Sequence, residues 1–182
     1  TQQPTLFPYT TLFRSLLPEL PLAPRKGHLV ITDRYPGLLH HQVLEMGYAD
    51  SAHGQADSSV AFNVQPRPTG QLLVGSSRES GVADHGVSPP MLARMLGRAF
   101  RFMPALAGLG AIRAWTGLRP ATPDGRPYLG PVPGRTDVWV AAGHEGLGVT
   151  TAPGSARLVL DLMLGRAPTI DPAPFAPARV LA

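Results

Sequence analysis

The sequence contains no cysteine, a single lysine, few charged residues and no long apolar run. Without cysteine, the 182 residues cannot form disulfides, thiolate zinc sites or iron–sulfur clusters, and cysteine catalysis is excluded. No apolar run reaches the roughly 18 residues that a membrane-spanning helix requires. The 20 glycines and 21 prolines predict a chain with many turns, while 43% apolar residues are enough for a folded core.

Arginine carries nearly all of the positive charge, since Lys26 is the sole lysine among 16 basic residues. The net charge of +4 is scattered, and nowhere do three basic residues follow one another. Nucleic-acid binding requires clustered cations, so no nucleic-acid partner is predicted. Two explanations of the arginine bias stay open, a GC-rich genome and sites that grip carboxylates with a bidentate fork.

The first residues of the chain are unusual. Residues 5–15, TLFPYTTLFRS, resemble the in-frame translation of a sequencing-library adapter. We therefore expect residues 1–15 to be an artefactual segment, genuine protein to begin near Leu16, and the chain to be a C-terminal fragment. The alternative is a short apolar arm that docks on the fold. A signal peptide is indicated by a basic segment followed by an apolar stretch, and the first residues do not show this pattern.

Local patterns predict a hairpin and a helix in the first two thirds of the chain. A short apolar run at 28–32 is typical of a strand. Residues 59–65 alternate in polarity, and a turn rich in proline and glycine separates them from 71–76, which predicts an antiparallel hairpin. Ser88 is a suitable N-cap for a helix whose apolar residues recur at helical spacing until Pro104.

A strand, a glycine-rich loop and a helix are predicted near the end of the chain. Another strand is predicted at 111–119. Residues 138–142, VWVAA, are apolar on both faces, as expected for a buried strand of a parallel sheet. They lead into the loop 143–150, GHEGLGVT, and a helix at about 151–164 that Gly165 caps.

The glycine-rich loop is the strongest chemical feature. Gly143, Gly146 and Gly148 allow the backbone to approach a ligand closely, and the following helix offers N–H groups and the positive end of its dipole. This arrangement suits a phosphate or the electron-rich edge of a cofactor ring. A tight turn without a ligand is the alternative, and the loop does not match the dinucleotide fingerprint G-x-G-x-x-G.

Arg119 is the second chemical feature. Alternation places it on the same strand face as Trp115, where its guanidinium could hold a substrate carboxylate; an exposed arginine without a ligand is the alternative. The histidines show no metal-ligand spacing, and the segment at His144 lacks the second histidine of H-E-x-x-H. No metal site is predicted, and no G-x-S-x-G motif supports a serine hydrolase.

Several segments together resemble one family. Residues 117–134, GLRPATPDGRPYLGPVPG, the segment 138–150 and a helix ending in LMLGRAPTIDPAPF resemble the C-terminal end of the D-amino-acid oxidase family. This family of FAD-dependent amine and amino-acid oxidoreductases includes glycine oxidase and D-amino-acid dehydrogenases. Residues 24–37 and 62–79 most resemble hydrogen cyanide synthase subunits and β subunits of D-hydroxyproline dehydrogenases. The resemblance extends over nearly everything after about Leu22.

The resemblance implies an α+β fold. An antiparallel sheet of a partial substrate-binding domain, residues 16–118, would be followed by the C-terminal part of an FAD-binding domain, residues 119–182. That second part would contribute a strand, a loop and a helix of a Rossmann-like domain. The N-terminal nucleotide-binding half, with its G-x-G-x-x-G motif, would be missing.

The resemblance also implies FAD as cofactor and assigns residues to a site. Arg119 matches the arginine that grips the substrate carboxylate, and Asn63 stands where a tyrosine often faces the substrate. The flavin-binding loop would comprise His144, Glu145, Gly146, Leu147, Gly148, Val149 and Thr150. No catalytic acid or base is implied.

The implied reaction is oxidation of an amino acid or a secondary amine. A hydride would pass from the carbon next to nitrogen to flavin N5, and the resulting imine would hydrolyse. We expect the fragment alone to be inactive, and the whole protein to lie in the cytoplasm or at the periphery of the inner membrane. The alternative function is a non-catalytic binding or subunit-interaction module of a heteromeric amine dehydrogenase. Partner subunits are expected beside the small substrate.

Overall fold

The computed structural model describes residues 16–48 and 56–181. The adapter-like segment 1–15 lies outside the described residues. The described chain divides into two compact units, a sheet unit of residues 25–118 and a loop unit of residues 16–24 with 119–181. Residues 16–24, which the sequence assigned to the first domain, therefore belong with the later residues, because Leu17 and Leu20 pack against Tyr128.

The sheet unit contains a five-stranded sheet in the order β2-β3-β4-β1-β5. Strand β3 pairs antiparallel with both β2 and β4, and β4 pairs antiparallel with β1. The predicted hairpin is therefore present, and its second strand is longer than its sequence pattern indicated. The strands are β1 (Ala23–Arg34), β2 (Val43–Leu44), β3 (Ser58–Pro66), β4 (Gln71–Ser80) and β5 (Ala111–Ala121).

Helix α1 (Pro89–Phe102) packs its apolar stripe on β3 and β4. Ser88 caps the helix as predicted, since its Oγ accepts a hydrogen bond of 3.4 Å from the backbone N–H of Met91. The spacing of four residues places its buried side chains on one face, where they close the core of the sheet unit. That core contains Val30, Phe62, Val64, Leu72, Val74, Met95, Ala99 and Leu106.

The loop unit contains a two-stranded antiparallel sheet of β6 (Tyr128–Pro131) and β7 (Trp139–Ala142). The sequence indicated a parallel neighbour for β7 and missed β6. A short apolar run does not specify the direction of its partner strand, and here β7 pairs antiparallel and exposes Ala141. The pairing of β7 places its last residue directly before the glycine-rich loop.

Helix α2 (Gly148–Met163) follows that loop. It begins three residues earlier than predicted, so Pro153 lies inside the helix. Proline removes only the hydrogen bond to the carbonyl of Val149, a residue whose surface is 93% exposed. The helix ends as predicted, because Gly165 adopts a φ of +63° and donates to the carbonyl of Leu162 at 3.2 Å.

The C-terminal tail is held on the loop unit by Arg179. Its guanidinium donates to both carboxylate oxygens of Asp124, at 2.8 and 3.1 Å, and to the carbonyl of Arg126 at 2.6 Å. It also lies 4.2 Å from the centre of the Tyr128 ring. The hydrogen bonds from Arg179 are the main reason why the pKa of Asp124 is lowered to about 2.

Over residues 16–48 and 56–181 the fold is α+β, as predicted, with an antiparallel sheet and the two helices α1 and α2. Among the residues that the structure describes, none of the helices has the length and apolar character needed to cross a bilayer.

Candidate functional site

The loop between β7 and α2 begins at a position that only glycine can occupy. Gly143 has a φ of +87°, a conformation that residues with a side chain rarely adopt. A Cβ atom at this position would collide with Cγ2 of Thr122 and would lie 3.3 Å from Cδ2 of Leu22. The close packing on Thr122 therefore fixes where the chain leaves β7.

The loop then pairs with the end of β5. Ala121 forms an antiparallel bridge with His144, and the N–H of Glu145 donates to the carbonyl of Pro120 at 2.9 Å. This register brings Arg119 opposite Gly146, where an ideal Cβ atom would lie 3.8 Å from the Arg119 Cδ. The structure thus brings together the two features that the sequence singled out, Arg119 and the glycine-rich loop, within one unit.

Glu145 occupies the left-handed region, with a φ of 51°. Non-glycine residues rarely adopt this conformation, which is concentrated at sites where the surrounding structure imposes it. Here the constraints are the hydrogen bond from Glu145 to Pro120 and the turn in which Leu147 donates to the His144 carbonyl at 3.0 Å. The reversal of the chain at Glu145 directs the following residues into α2.

The N-terminus of α2 offers backbone donors to a ligand. The first hydrogen bond of the helix runs from the Thr151 N–H to the Leu147 carbonyl at 2.9 Å, so the N–H groups of residues 148–150 precede it. The first turn contains no acidic residue that would oppose a negative ligand. Together with the helix dipole, these donors form an environment that stabilises negative charge.

His144 is tied to the second turn of α2. Its Nε2 lies 2.9 Å from the Oγ of Ser155. Burial lowers the pKa of His144 below its usual value of 6.5, which favours the neutral imidazole near pH 7. Sequence analysis did not identify Ser155, because no motif relates a loop histidine to a serine eleven residues later.

A mainly apolar cavity of about 350 Å³ lies beside this loop, within the loop unit. Three of the predicted cofactor residues, His144, Leu147 and Thr150, line it. The other four, Glu145, Gly146, Gly148 and Val149, do not line it, and the side chain of Val149 is exposed to solvent. The remaining lining residues come from α2, the turn before β6, β6 itself and the tail: Gly125, Pro127, Leu129, Thr151, Gly154, Ser155, Leu158, Ile170 and Phe175.

Asn63, the other predicted substrate residue, lies on β3 in the sheet unit. Its backbone pairs with Leu44 on one side and Gly75 on the other. Its side-chain oxygen accepts a hydrogen bond of 3.0 Å from Nε2 of Gln42. Asn63 is therefore positioned by the sheet, in a different unit from Arg119 and the loop.

Comparison with known proteins identifies a family. Residues 8–162 match the family of FAD-dependent oxidoreductases designated DAO. Over 168 residues the chain is 38% identical to a glycine oxidase of Pseudomonas aeruginosa, an alignment that covers 92% of the chain and 42% of that enzyme. It is 31% identical to hydrogen cyanide synthase subunit HcnC of Pseudomonas protegens, over 86% of the chain and 34% of that subunit.

A solved structure agrees with this assignment. The glycine oxidase of Geobacillus kaustophilus superposes with a TM-score of 0.72 and 31% identity, covering 90% of this chain and 41% of that enzyme. The chain thus spans about two fifths of the length of the relatives that it matches. The resemblance seen in the sequence is confirmed, and the chain belongs to the DAO family of FAD-dependent oxidoreductases.

Proposed function

We propose that the whole protein of which this chain forms part oxidises an amino acid or a secondary amine with FAD. The observation that carries this proposal is the position of Arg119 against the glycine-rich loop. A carboxylate-binding group and a backbone surface suited to a flavin edge are thereby adjacent in one unit. The family is FAD-dependent, and relatives of the chain include glycine oxidases and a D-amino acid dehydrogenase.

The residues of the loop fit a flavin. Gly143 keeps the backbone where a side chain would collide with Thr122, and the donors at 148–150 lie at the positive end of a helix without an acidic first turn. When bound, FAD would supply an acceptor, at N5, for a hydride from the carbon next to the substrate nitrogen. Residues 144–150 would hold the ring edge on which negative charge develops, and their N–H groups would stabilise that charge.

Arg119 would orient the substrate. A guanidinium holds a carboxylate through two parallel hydrogen bonds, which fixes the direction of the carbon that is oxidised. The resemblance also assigns Asn63 to the substrate, and the oxygen of its side-chain amide accepts a hydrogen bond from Gln42. We propose no general base among the described residues, because hydride transfer from a neutral amine does not require a general base.

A subunit-interaction role is the second candidate. The relative named hydrogen cyanide synthase subunit HcnC, 31% identical to the chain, favours it. In this reading the protein would work beside partner subunits, in the cytoplasm or at the inner membrane. FAD binding distinguishes the candidates, since a purely structural subunit does not require it.

Titration of the purified chain with FAD provides the first test. We expect quenching of flavin fluorescence that saturates, and no comparable quenching with the Gly143→Val variant, whose side chain would displace the loop. Catalysis requires a longer protein, and a chimera in which residues 16–182 follow the N-terminal part of the Pseudomonas aeruginosa glycine oxidase supplies it. Absence of amino-acid-dependent flavin reduction in an FAD-loaded chimera would contradict the proposed reaction.

Substitution of Arg119 tests the substrate assignment in that chimera. Arg119→Leu should raise KM for an amino acid at least about tenfold, equivalent to 1.4 kcal/mol, because the bidentate contact to the carboxylate is lost. Flavin content should not change. Arg113→Leu is the matched control, since Arg113 lies exposed on the same strand. An unaltered KM in Arg119→Leu would show that this arginine does not bind substrate, and loss of flavin would place it at the cofactor instead.

A further inference from the structure

We propose that Gly146 is a specificity-determining position, because the absence of a side chain there leaves space for the Arg119 guanidinium. The inference rests on the proposed function, in which Arg119 binds the substrate carboxylate. The backbone conformation at residue 146 does not require glycine. The φ of Gly146 lies outside the left-handed region, unlike those of Gly143 and Glu145, so a residue with a side chain could adopt the same conformation.

The side chain of Arg119 borders the space next to Gly146. An ideal Cβ atom at Gly146 would lie 3.8 Å from Cδ and 4.0 Å from Nε of Arg119. Within the part of the chain that the structure describes, no other atom beyond its immediate neighbours lies within 4 Å of that position. A Cβ atom at residue 146 would therefore contact one partner, the stem of Arg119.

The expected effect depends on the size of the side chain. A methyl group at 3.8 Å from Cδ makes an ordinary van der Waals contact, so alanine should be accommodated. The γ and δ atoms of valine or leucine extend beyond that contact and would displace the guanidinium. A bidentate contact tolerates little displacement, and a shift of about 1 Å in a positioned group can lower a rate about a hundredfold.

This steric relation would separate two classes of substrate. Amino acids carry a carboxylate on the carbon that is oxidised and depend on Arg119. Primary or secondary amines without a carboxylate do not depend on it. Gly146 would therefore favour amino acids, and a larger residue at this position would reduce that preference.

The test compares Gly146→Ala, Gly146→Val and Gly146→Leu in the FAD-loaded chimera. We expect unchanged KM for an amino acid in the alanine variant, and an increase of at least about tenfold in the leucine variant. KM for a simple amine should rise less than KM for the amino acid in the valine and leucine variants. Binding of acetate, followed through the flavin absorption spectrum, should weaken in the same order and gives a measure independent of turnover. If the leucine variant does not fold, the alanine and valine variants provide the same comparison.

A double-mutant cycle shows whether the effect passes through Arg119. In an Arg119→Leu background, Gly146→Leu should cause no further increase in KM, because the displaced group is already absent. Additive effects would overturn the inference, as would equal increases in KM for the amino acid and the simple amine in Gly146→Leu, because the substitution would then not act through Arg119. If Arg119→Leu raises KM and Gly146→Leu does not, the inference fails while the proposed function stands. If Arg119→Leu has no effect, the substrate assignment itself fails.

Discussion

Helices α1 and α2 differ in what they bury. Helix α1 buries Met91, Met95 and Ala99 against a five-stranded sheet, whereas α2 buries only Leu158 and Asp161. The apolar side chains that α2 leaves exposed include those of Val149, Leu160 and Met163. A helix owes most of its stability to the packing of its apolar face. Contacts within the chain therefore stabilise α1 more than α2.

The same difference separates the two units. Of the residues that the structure describes, eight buried apolar residues form the core of the sheet unit and six form that of the loop unit, beside a two-stranded sheet. In the loop unit, Arg179 secures the tail through hydrogen bonds to Asp124 and Arg126. Regions with few buried apolar contacts open at lower free energy, and binding loops are often found in them. The candidate site thus lies in the unit with the smaller core.

The two tryptophans of the chain allow each unit to be followed separately. Trp115 lies in the sheet unit and Trp139 in the loop unit. In Trp139→Phe the remaining fluorescence reports on the sheet unit, and in Trp115→Phe it reports on the loop unit. The comparison of the cores predicts that urea unfolds the loop unit at a lower concentration than the sheet unit.

The largest effect is expected from truncation of a core methionine. Met95 is fully buried, so Met95→Ala should lower the free energy of unfolding of the sheet unit by about 3 kcal/mol through lost burial and a residual cavity. Met163→Ala is the matched control on α2, where 55% exposure predicts a change below about 0.5 kcal/mol. Urea titrations of the single-tryptophan proteins measure both. Equal decreases in the free energy of unfolding for the two variants would show that the face of α2 that contains Met163 is buried in solution. The contrast between the helices would then not hold.

Much of the sheet unit was predictable because its signals are local. The alternation at 59–65, the turn after it and the Ser88 cap each act over a few residues, and the hairpin and α1 follow from them. The glycine-rich loop was also recognisable, since glycine is required where the backbone turns or where another chain segment approaches closely. Its prediction as a ligand site depended on the N–H groups and the positive dipole end that every helix N-terminus has.

The rest depends on contacts between distant residues. The contact of Ser155 with His144, that of Arg179 with Asp124, and the pairing of β6 with β7 leave no periodic pattern in the sequence. The start of α2 at Gly148 was missed because Pro153 normally indicates the first turn of a helix. The position of Arg119 opposite Gly146 likewise required the register between β5 and the loop.

Charged pairs should show the contrast at intermediate size. The Glu45 carboxylate is 2% exposed and accepts two hydrogen bonds from Arg98, whereas that of Asp124 is 39% exposed beside Arg179. Glu45→Gln places a buried amide N–H₂ against the guanidinium and should cost about 2 kcal/mol. Asp124→Asn should cost less than about 1 kcal/mol, because water replaces part of the lost contact. Urea unfolding of the same single-tryptophan proteins provides the values, and a larger loss for Asp124→Asn would reverse the ranking.

The Asp124 pair also has a defined pH dependence. Its folded pKa of about 2 lies below the ordinary value of 3.8, so its stabilisation is present above about pH 4. That stabilisation should be lost as the pH falls from 3.8 towards 2. Asp124→Asn should remove this part of the acid sensitivity of the loop unit.

The smallest effect concerns His28, which is fully buried in the sheet unit. Its Nε2 accepts a hydrogen bond of 3.0 Å from the Ser88 N–H, and its Nδ1 lies 2.8 Å from the Ser77 Oγ and 3.6 Å from Glu79. Lys26 and Asp84 are the other charged groups that act on it. Burial lowers the pKa of His28 more than the nearby carboxylates raise it, so the folded state holds the neutral ring.

Because the unfolded chain takes up this proton at a higher pH than the folded chain, the sheet unit should lose stability as the pH falls through 6.5. Linkage limits the slope from one such group to about 1.4 kcal/mol per pH unit. Urea midpoints at pH 7.5, 6.5 and 5.5, read from Trp115, should decrease in the parent, and the decrease should be shallower in His28→Gln even though that variant is less stable throughout. The window avoids protonation of Glu45 and Asp124, whose pKa values are lowered. The same slope in both proteins would show that proton uptake by His28 does not contribute to the loss of stability.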